Sequence, residues 1–396
     1  MIDPSLIWTG RSEKPTPSSR RIGLYDTTLR DGEQTVGVAF SADAKLAIAR
    51  GLDRLGVDRI EAGFPMVSAE DARAIELILE AELDAEIWGF ARAVPADIQQ
   101  LVDIGVKSAV IEAPVSDQKL NAFGISRDSI VNRISEAIEA AQRGEINVCF
   151  FGVDGSRSDR EFLERVYRAA VECGAQELAV VDTLGVASPE FAAELVRRVR
   201  DWVGPDLPIH WHGHNDFGVA TAGAIAAVGA GANWVQGTIN GMGERAGNAD
   251  IAEFALAIEA LYGYETSLRF ESVLEVSQLV QRLSGYDLAP WKPVTGRNLF
   301  IRESGGVVAQ FHDPPAIEPF SAELVGAVRG IVLGKKSGMA SIELKSNQLG
   351  LSVREDLRNE VLARVKARGA QKAGLVTDEE FIQFVTDAEA QVAKKR

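Results

Sequence analysis

The sequence has little cysteine and no long apolar run. Its two cysteines, Cys149 and Cys173, are too few for a disulfide framework, and no partner stands at metal-ligand spacing from either. Two thiols without partners are typical of the reducing cytosol, so we expect a cytoplasmic protein. No apolar run reaches the roughly 18 residues that a transmembrane helix requires, so no membrane span is expected.

Positive charge is also scarce, with 42 Lys and Arg against 57 Asp and Glu and a net charge of −15. Nucleic-acid binding requires clustered Lys and Arg, so a nucleic-acid partner is not expected. A single local arginine can still bind a small anion. The fractions of 46% hydrophobic and 25% charged residues are those of an ordinary globular protein.

The first 20 residues form a Pro/Ser/Lys/Arg-containing stretch that lacks the apolar core of a signal peptide. We predict an exposed N-terminal arm there. From residue 21 onward, short β-branched runs alternate with helical patterns. The predicted strands are 22–26, 59–62, 86–90, 108–112, 146–151, 178–182, 209–214 and 234–238. The predicted helices between and after them include 42–55, 69–82, 128–143, 159–173, 189–203, 219–228 and 250–262.

Alternation of this kind predicts a parallel sheet, and eight units match the size of a closed (β/α)8 barrel, which we assign to residues 21–275. The alternative is an open doubly wound sheet, which usually carries a glycine-rich phosphate loop after its first strand. Here that position reads Thr27-Thr28-Leu29-Arg30-Asp31. Residues 276–396 carry two Pro-rich passages and amphipathic patterns, so we expect a linker and a small, mainly helical C-terminal subdomain.

Catalytic side chains of such barrels follow the C-terminal ends of the strands. The polar residues at those positions are Asp26, Arg30, Asp31, Glu61, Glu112, Asp182, Thr183, His212, His214, Asn240, Glu244, Arg245 and Asn248. His210, His212 and His214 alternate on one strand, so they share a face. A lone histidine is most simply a core or capping residue. An alternating set at a strand end instead favours metal binding by His212 and His214, with His210 deeper on the same face.

Two imidazoles need an oxygen ligand to complete a site. Asp31 is the best candidate, and Asn248 could add a neutral oxygen. This donor set suits Mg²⁺, Mn²⁺, Zn²⁺ or Co²⁺, and the sequence does not choose among them. Arg30, beside Asp31, could stabilise an enolate or alkoxide. Its alternative is a salt bridge to Asp31 or Glu61.

Five segments resemble one enzyme family. Residues 26–34 read DTTLRDGEQ, residues 60–65 IEAGFP, residues 212–216 HGHND, residues 240–248 NGMGERAGN and residues 333–338 LGKKSG. In this order they resemble the 2-isopropylmalate, homocitrate and citramalate synthases. The resemblance covers nearly the whole chain from Arg21.

The resemblance implies that a divalent metal binds a 2-oxo acid, that acetyl-CoA attacks its carbonyl after enolisation, and that the thioester is then hydrolysed. It implies that Asp31, His212, His214 and Asn248 hold the metal and that Arg30 stabilises oxyanions. Thr183 would bind the substrate carboxylate. Arg157 would bind a second carboxylate, unless it is only a neighbour of the next helix.

Further candidates are Glu61 for catalysis and Gln34 and Arg92 for substrate binding. The resemblance also implies a homodimer in which the C-terminal subdomain crosses to the partner. Related enzymes often carry a C-terminal regulatory domain that binds an amino acid. We expect none here, because the chain ends too early for one.

The departures from the family pattern concern proton transfer. The Glu of a Glu-Asp pair on strand 5 appears as Val153, the His of a Ser-Gly-x-His segment as Val307, a later Tyr as Ile317, and a substrate-side His as Lys119. Valine cannot exchange a proton. Lys119 or His312 could substitute.

Three hypotheses follow from these departures. The first is a synthase-like acyltransferase with a changed base, acting on an acyl-CoA and a 2-oxo acid. The second is a metal-dependent lyase or aldolase without thioester hydrolysis. The third is a catalytically weak binding paralogue, against which the intact residues Arg30, Asp31, His212 and His214 speak.

Overall fold

The computed structural model describes residues 2–10 and 20–395 of the chain. The remaining positions of the predicted N-terminal arm, residues 1 and 11–19, lie outside the described residues. The described part divides into two compact units. The first contains residue 2 and residues 20–288, and the second contains residues 3–10 and 289–395.

The first unit is a closed parallel barrel of eight strands, which confirms the predicted (β/α)8 fold. Strand β1 pairs with β8 as well as with β2, so the sheet has no open edge and the doubly wound alternative is wrong. The strands are β1 (Gly23–Asp26), β2 (Arg59–Glu61), β3 (Glu86–Arg92), β4 (Ser108–Pro114), β5 (Asn147–Val153), β6 (Glu177–Asp182), β7 (Ile209–Gly213) and β8 (Trp234–Gly237).

Helices follow the strands around the outside of this unit. They are α1 (Ala42–Leu55), α2 (Ala69–Glu80), α3 (Pro95–Ile104), α4 (Asp117–Phe123), α5 (Arg127–Arg143), α6 (Arg160–Glu172), α7 (Pro189–Val203), α8 (Ala220–Gly229), α9 (Ile251–Tyr262) and α10 (Val273–Ser284). Many begin at a side-chain cap. Ser41 Oγ, for example, accepts a hydrogen bond from the Ala44 amide at the start of α1.

Large apolar side chains fill the interior of the barrel. Tyr25, Trp88, Phe90, Val110 and Phe151 belong to one buried cluster, to which β5 and β6 add Cys149, Ala179 and Val181. The Tyr25 and Trp88 rings meet edge to face with 5.6 Å between their centroids. Because side chains alternate along a strand, the residues two positions beyond Phe90, Val110 and Phe151 face the mouth of the barrel.

The opposite end of the barrel is closed by charged side chains at the starts of the strands. Arg59 donates two hydrogen bonds to Glu177, with N–O distances of 2.7 and 3.0 Å, and one to Glu86 at 2.8 Å. His210 bonds to Glu177 through Nε2, and its Nδ1 lies 3.2 Å from Gln236 Nε2. His210 therefore faces inward below the predicted metal ligands, and its hydrogen-bond partners belong to this closed end.

The second unit has its own apolar core and is mainly helical, as predicted. Its helices are α11 (Gly305–Val308), α12 (Met339–Gln348), α13 (Arg358–Lys372) and α14 (Asp378–Lys395), and its two short strands are β9 (Ile301–Arg302) and β10 (Gly330–Ile331). Ile342, Val361, Val365 and Phe381 are buried in its core cluster. Among residues 2–10 and 20–395, no helix has the length and apolar character that crossing a membrane requires.

Candidate metal centre

Asp31 is fixed by a tight turn directly after β1. The amides of Asp31 and Gly32 both donate to the Thr27 carbonyl, at 2.8 and 3.0 Å. The Asp31 side chain is 1% exposed. The turn thus places a buried carboxylate at the mouth of the barrel.

His212 and His214 come from β7 and from the position that follows it, and they reach the same carboxylate. His212 Nε2 lies 3.4 Å and His214 Nε2 3.5 Å from Asp31 Oδ2. One ligand atom of each of the three residues lies within 4.8 Å of the others. All three are buried. The structure therefore brings together three of the four ligands that the sequence predicts.

The loop after β8 delivers Asn248, the fourth predicted ligand, to the same place. Asn248 and His214 form an isolated β-bridge, and Asn248 Nδ2 donates to the Met242 carbonyl at 2.9 Å. Because the amide nitrogen is used in this way, the amide oxygen is the atom left for a ligand. Gly243 lies close to both side chains: a Cβ there would be 2.3 Å from Asn248 Nδ2 and 3.4 Å from Asp31 Oδ1.

Unpaired polar atoms show that these residues fit a cation. Asp31 Oδ1, Asn248 Oδ1 and the Nδ1 atoms of His212 and His214 are buried and have no hydrogen-bond partner in the described part of the chain. Buried polar atoms without partners are costly, and coordination to a metal removes that cost for the atoms that bind it. Burial also lowers the pKa of His212 to about 3, which keeps this imidazole neutral as a ligand must be.

Arg30 links the cluster to Glu61 at the end of β2. Its Nε lies 3.1 Å from Glu61 Oε1 and its Nη1 3.3 Å from Asp31 Oδ2, while the guanidinium stacks 4.4 Å above the Phe90 ring. Both salt bridges offered as the alternative for Arg30 are therefore present. They hold a buried cation beside the metal ligands, which is also the placement that an oxyanion-stabilising role requires.

These charges set the ionisation states at the mouth. Burial opposes ionisation of Asp31, but Arg30, His214 and His212 outweigh it and hold the pKa of the carboxyl well below its usual range. Burial raises the pKa of Glu61, and Arg30 opposes that rise. The Arg30 guanidinium stays charged, because Glu61 and Asp31 more than offset its burial and raise its pKa.

Thr183 and Arg157 lie on the loops after β6 and β5. Thr183 Oγ1 accepts a hydrogen bond from the Asp154 amide at 2.8 Å, so its own hydroxyl proton can point elsewhere. Arg157 forms a two-pronged ion pair with buried Asp154, at 2.8 Å through Nε and 2.5 Å through Nη2. The third guanidinium nitrogen of Arg157, Nη1, takes part in neither of these two hydrogen bonds. The same Asp154 also accepts from Ser116 Oγ at 2.5 Å.

Two other predicted substrate-binding residues lie at the rim. Arg92 ends β3 and is 51% exposed, and it forms an ion pair with buried Asp97 at 2.7 Å. Gln34 is exposed at the end of the short turn that follows Asp31.

Lys119 and His312, the two predicted replacements for the missing acid-base groups, lie in different surroundings. Lys119 is half-buried in the first turn of α4, and its ammonium forms no ion pair with the described residues. His312 is exposed and belongs to the second unit.

The structure adds Glu112, which the sequence identified only as a polar residue at a strand end. It lies on β4 in register with Arg92 on β3 and Phe151 on β5. Val153, where the family pattern has a glutamate, packs against the interior cluster. The signal for Glu112 was its position two residues after Val110, an interior residue of the same strand.

Comparison with protein families matches both units. Residues 21–280 match the HMGL-like family, and residues 294–373 match a family described as homocitrate synthase post-HMGL domain-like.

Three curated relatives illustrate the similarity. A putative (R)-citramalate synthase of Archaeoglobus fulgidus is 42% identical, covering 95% of this chain and 77% of the relative. A homocitrate synthase of Methanopyrus kandleri is 42% identical over 91% of each chain. A probable 2-isopropylmalate synthase of the same organism is 43% identical, covering 88% of this chain and 70% of the relative.

Solved structures share the barrel. The HMG-CoA lyase of Brucella melitensis superposes with a TM-score of 0.61 at 16% identity, over 68% of this chain and 100% of that chain. The hydroxymethylglutaryl-CoA lyase of Pseudomonas aeruginosa gives 0.61 at 19% identity, over 68% and 94%. At these identities the likeness concerns the fold alone.

Proposed function

The chain belongs to the HMGL-like family, together with citramalate, homocitrate and 2-isopropylmalate synthases, and we propose that it is an acyltransferase of their type. In this reaction the methyl carbon of acetyl-CoA, or of a related acyl-CoA, forms a bond to the carbonyl carbon of a 2-oxo acid. Water then releases free coenzyme A and leaves a hydroxy acid with one more carboxylate than the 2-oxo acid.

The observation that carries this proposal is the cluster of Asp31, His212 and His214 with the Arg30 guanidinium beside it. Asn248 Oδ1 would complete the ligand set. A divalent metal held there would supply Lewis-acid activation of the 2-oxo acid carbonyl. Mg²⁺, Mn²⁺, Zn²⁺ and Co²⁺ all suit these donors.

Arg30 would stabilise the negative charge that develops on the substrate during condensation. Glu61 and the Phe90 ring fix the guanidinium before substrate arrives, so no reorganisation is needed as negative charge grows on the former carbonyl oxygen. Glu61 is therefore a residue that positions Arg30. An arginine held in this way stabilises a nearby negative charge more strongly than a mobile surface cation does, because the site is buried.

Thr183 and Arg157 supply groups that match the substrate's carboxylates. The Thr183 hydroxyl donates to the carboxylate beside the carbonyl, while its oxygen stays bound to the Asp154 amide. Arg157 offers Nη1 to a second carboxylate, with its other nitrogens held by Asp154. We expect Arg92 and Gln34, at the rim, to contact the outer part of the substrate. A dicarboxylic 2-oxo acid would use all of these groups.

The experiment incubates the purified protein with Mn²⁺, acetyl-CoA and a panel of 2-oxo acids, and follows free thiol with a chromogenic reagent. The panel varies the side chain from short to branched and includes acids with a second carboxylate. We expect thiol release with at least one acid and its loss in the Asp31→Ala variant. Absence of thiol with every acid, together with release of a 2-oxo acid from a hydroxy acid, would identify a lyase instead.

Assembly is the second part of the proposal. The second unit matches a domain that follows the barrel in homocitrate synthases, and the family resemblance implies that it crosses to a partner subunit. We therefore expect a homodimer in light scattering at micromolar concentration. A monomer under these conditions contradicts the proposed crossing.

A further inference from the structure

Glu112 projects into the mouth of the barrel directly above the apolar interior. It stands two residues after Val110, a member of the interior cluster, so the alternation of β4 turns both side chains inward. Its register partners are Arg92 on β3 and Phe151 on β5. Phe151 lies 6.0 Å below the Arg30 guanidinium. Glu112 therefore lies on the wall of the site that holds Arg30.

Four other carboxylates around this mouth are each engaged by an arginine. Glu61 and Asp31 bind Arg30, Asp97 binds Arg92, and Asp154 binds Arg157. Glu112 forms no side-chain hydrogen bond or ion pair with any residue in the described ranges 2–10 and 20–395. A half-buried carboxylate without a hydrogen bond or a close ion pair is costly to keep unless a bound molecule uses it.

The charges that face Glu112 leave it able to gain and lose a proton near neutrality. Burial raises its pKa to about 6, Arg30 opposes this, Glu61 adds to it, and Arg92 and Lys119 oppose it. On β5 its neighbours Phe151 and Val153 carry no charge. A carboxyl of this kind matches what general acid-base catalysis requires, since the ideal pKa lies near the working pH.

We infer that Glu112 is the acid-base residue of this site and performs the proton transfers that valine cannot perform at positions 153 and 307. The inference rests on the proposed acyltransferase function. Nothing in the family resemblance assigns a role to this position.

The step is balanced as follows. The Glu112 carboxylate removes a proton from the methyl carbon next to the thioester, and the C–H electron pair becomes the enolate. The enolate carbon attacks the carbonyl carbon of the 2-oxo acid, and the C=O π pair moves to oxygen. The carboxylic acid of Glu112 then returns the proton to that oxygen, either directly or through one water, and the carboxylate is restored.

The test compares Glu112→Gln, Glu112→Asp and the control Glu139→Gln with the unaltered enzyme. Glu112→Gln keeps the shape and removes the base. Glu139 is an exposed carboxylate on the outer helix α5, so its variant makes the same chemical change away from the site. Thermal melting and Mn²⁺ affinity should be unchanged in all three variants, which separates a chemical role from a structural one.

We expect Glu112→Gln to lower kcat by at least about 100-fold with KM changed little, because general base catalysis typically contributes that much. The rise of kcat/KM with pH through about 6 should disappear in this variant, since the base must lose its proton to act. Glu112→Asp should restore part of the activity. Deuterium uptake from D₂O into the methyl group of acetyl-CoA, followed by mass spectrometry, should fall in parallel.

The outcomes separate the two proposals. If the unaltered enzyme releases thiol and Glu112→Gln keeps kcat within about threefold and the same pH profile, the inference is overturned and the acyltransferase function stands. If the unaltered enzyme neither releases thiol nor exchanges the methyl protons, the inference falls together with the proposed function. Parallel loss of turnover and exchange in Glu112→Gln alone supports both.

Discussion

Two buried oxygen atoms, Asp31 Oδ1 and Asn248 Oδ1, have no hydrogen-bond partner in the described part of the chain, and both belong to predicted metal ligands. A protein that keeps such atoms unsatisfied for a ligand should bind that ligand measurably. Substitution of single metal-ligand residues, with measurement of metal affinity, is therefore the most direct test of this site.

We predict that Asp31→Ala and His212→Ala each lower Mn²⁺ affinity by more than the roughly 10–100-fold that loss of a supporting hydrogen bond costs. Asp31 Oδ2 lies 3.4 Å from His212 Nε2 and 3.5 Å from His214 Nε2, so either change removes a ligand that the remaining residues cannot replace. Titration calorimetry measures the affinity.

The control for these variants is Asp206→Asn. Asp206 is exposed and precedes β7 at the opposite end of the strand that carries the histidines. Its variant should bind Mn²⁺ as the unaltered protein does. Unchanged affinity in Asp31→Ala or His212→Ala, in protein that still melts cooperatively, would show that the ligands are assigned incorrectly.

The candidate metal ligands could be predicted because local rules govern them. His212 and His214 share a face by strand alternation, and Asp31 follows the end of another strand. The role of Glu112 could not be predicted in this way. Its significance depends on which arginine binds which carboxylate, and those pairings join residues from different loops and strands.

The loop after β8 controls the site through its backbone. Gly243 has a φ of +149° and Gly247 a φ of +82°, conformations that residues with a side chain rarely adopt. A Cβ on Gly247 would lie 1.9 Å from the Gly241 carbonyl. The loop therefore folds tightly enough to bring Asn248 beside Asp31, and glycine is what permits it.

We predict that Gly243→Ala lowers Mn²⁺ affinity by roughly 10–100-fold, as loss of a supporting contact does. The added Cβ would lie 2.3 Å from Asn248 Nδ2, so the ligand amide must move. Calorimetry measures the affinity, and urea denaturation measures the accompanying loss of stability.

Gly229→Ala is the matched control for the loop, because a Cβ at Gly229 meets no atom within 4 Å. It lies at the end of helix α8, where alanine is favoured over glycine by up to about 1 kcal/mol. We expect unchanged metal affinity and equal or greater stability. Equal affinity in both variants would mean that the loop does not position Asn248.

Helix boundaries illustrate what the sequence reveals at the level of elements. The prediction for α1, residues 42–55, agrees with Ala42–Leu55, because Ser41 caps its start and Gly56, with φ +86°, ends it. Strands β3 and β4 extend two residues beyond their predicted ends. Glu112 is the polar end of the predicted fourth strand, and Arg92 lies two residues beyond the predicted end of the third, whereas in the structure both residues pair with neighbouring strands.

At the scale of the molecule, the barrel was predictable because eight repeats of one pattern leave few ways to bury a parallel sheet. Closure by pairing of β1 with β8 is a contact between distant parts of the chain, and no local pattern reports it directly. The charged end of the barrel was not foreseen, since Arg59, Glu86 and Glu177 come from three strands and each alone reads as an ordinary surface charge.

Glu177 should make the free energy of unfolding of the protein depend on pH in the acidic range. Burial opposes its ionisation, but His210 and Arg59 outweigh this and lower its pKa to about 2, from an ordinary value of 4.5. A carboxyl with a lower pKa in the folded state binds fewer protons when folded than when unfolded. It therefore contributes stability that is complete above pH 4.5 and is lost as the pH falls toward 2.

We predict that Glu177→Gln lowers the free energy of unfolding at pH 7 by roughly 1–3 kcal/mol, because Arg59 loses a charged partner inside the barrel. The variant should also lose less stability than the unaltered protein between pH 4.5 and 3, since the group that would gain a proton is gone. Urea denaturation at several pH values measures both effects.

Glu164→Gln, which removes an exposed carboxylate paired with Arg168 on α6, should change the stability at pH 7 by less than about 0.5 kcal/mol and leave the pH dependence intact. If the two variants have the same acid dependence, the ion cluster at the closed end of the barrel does not govern how this protein responds to acid.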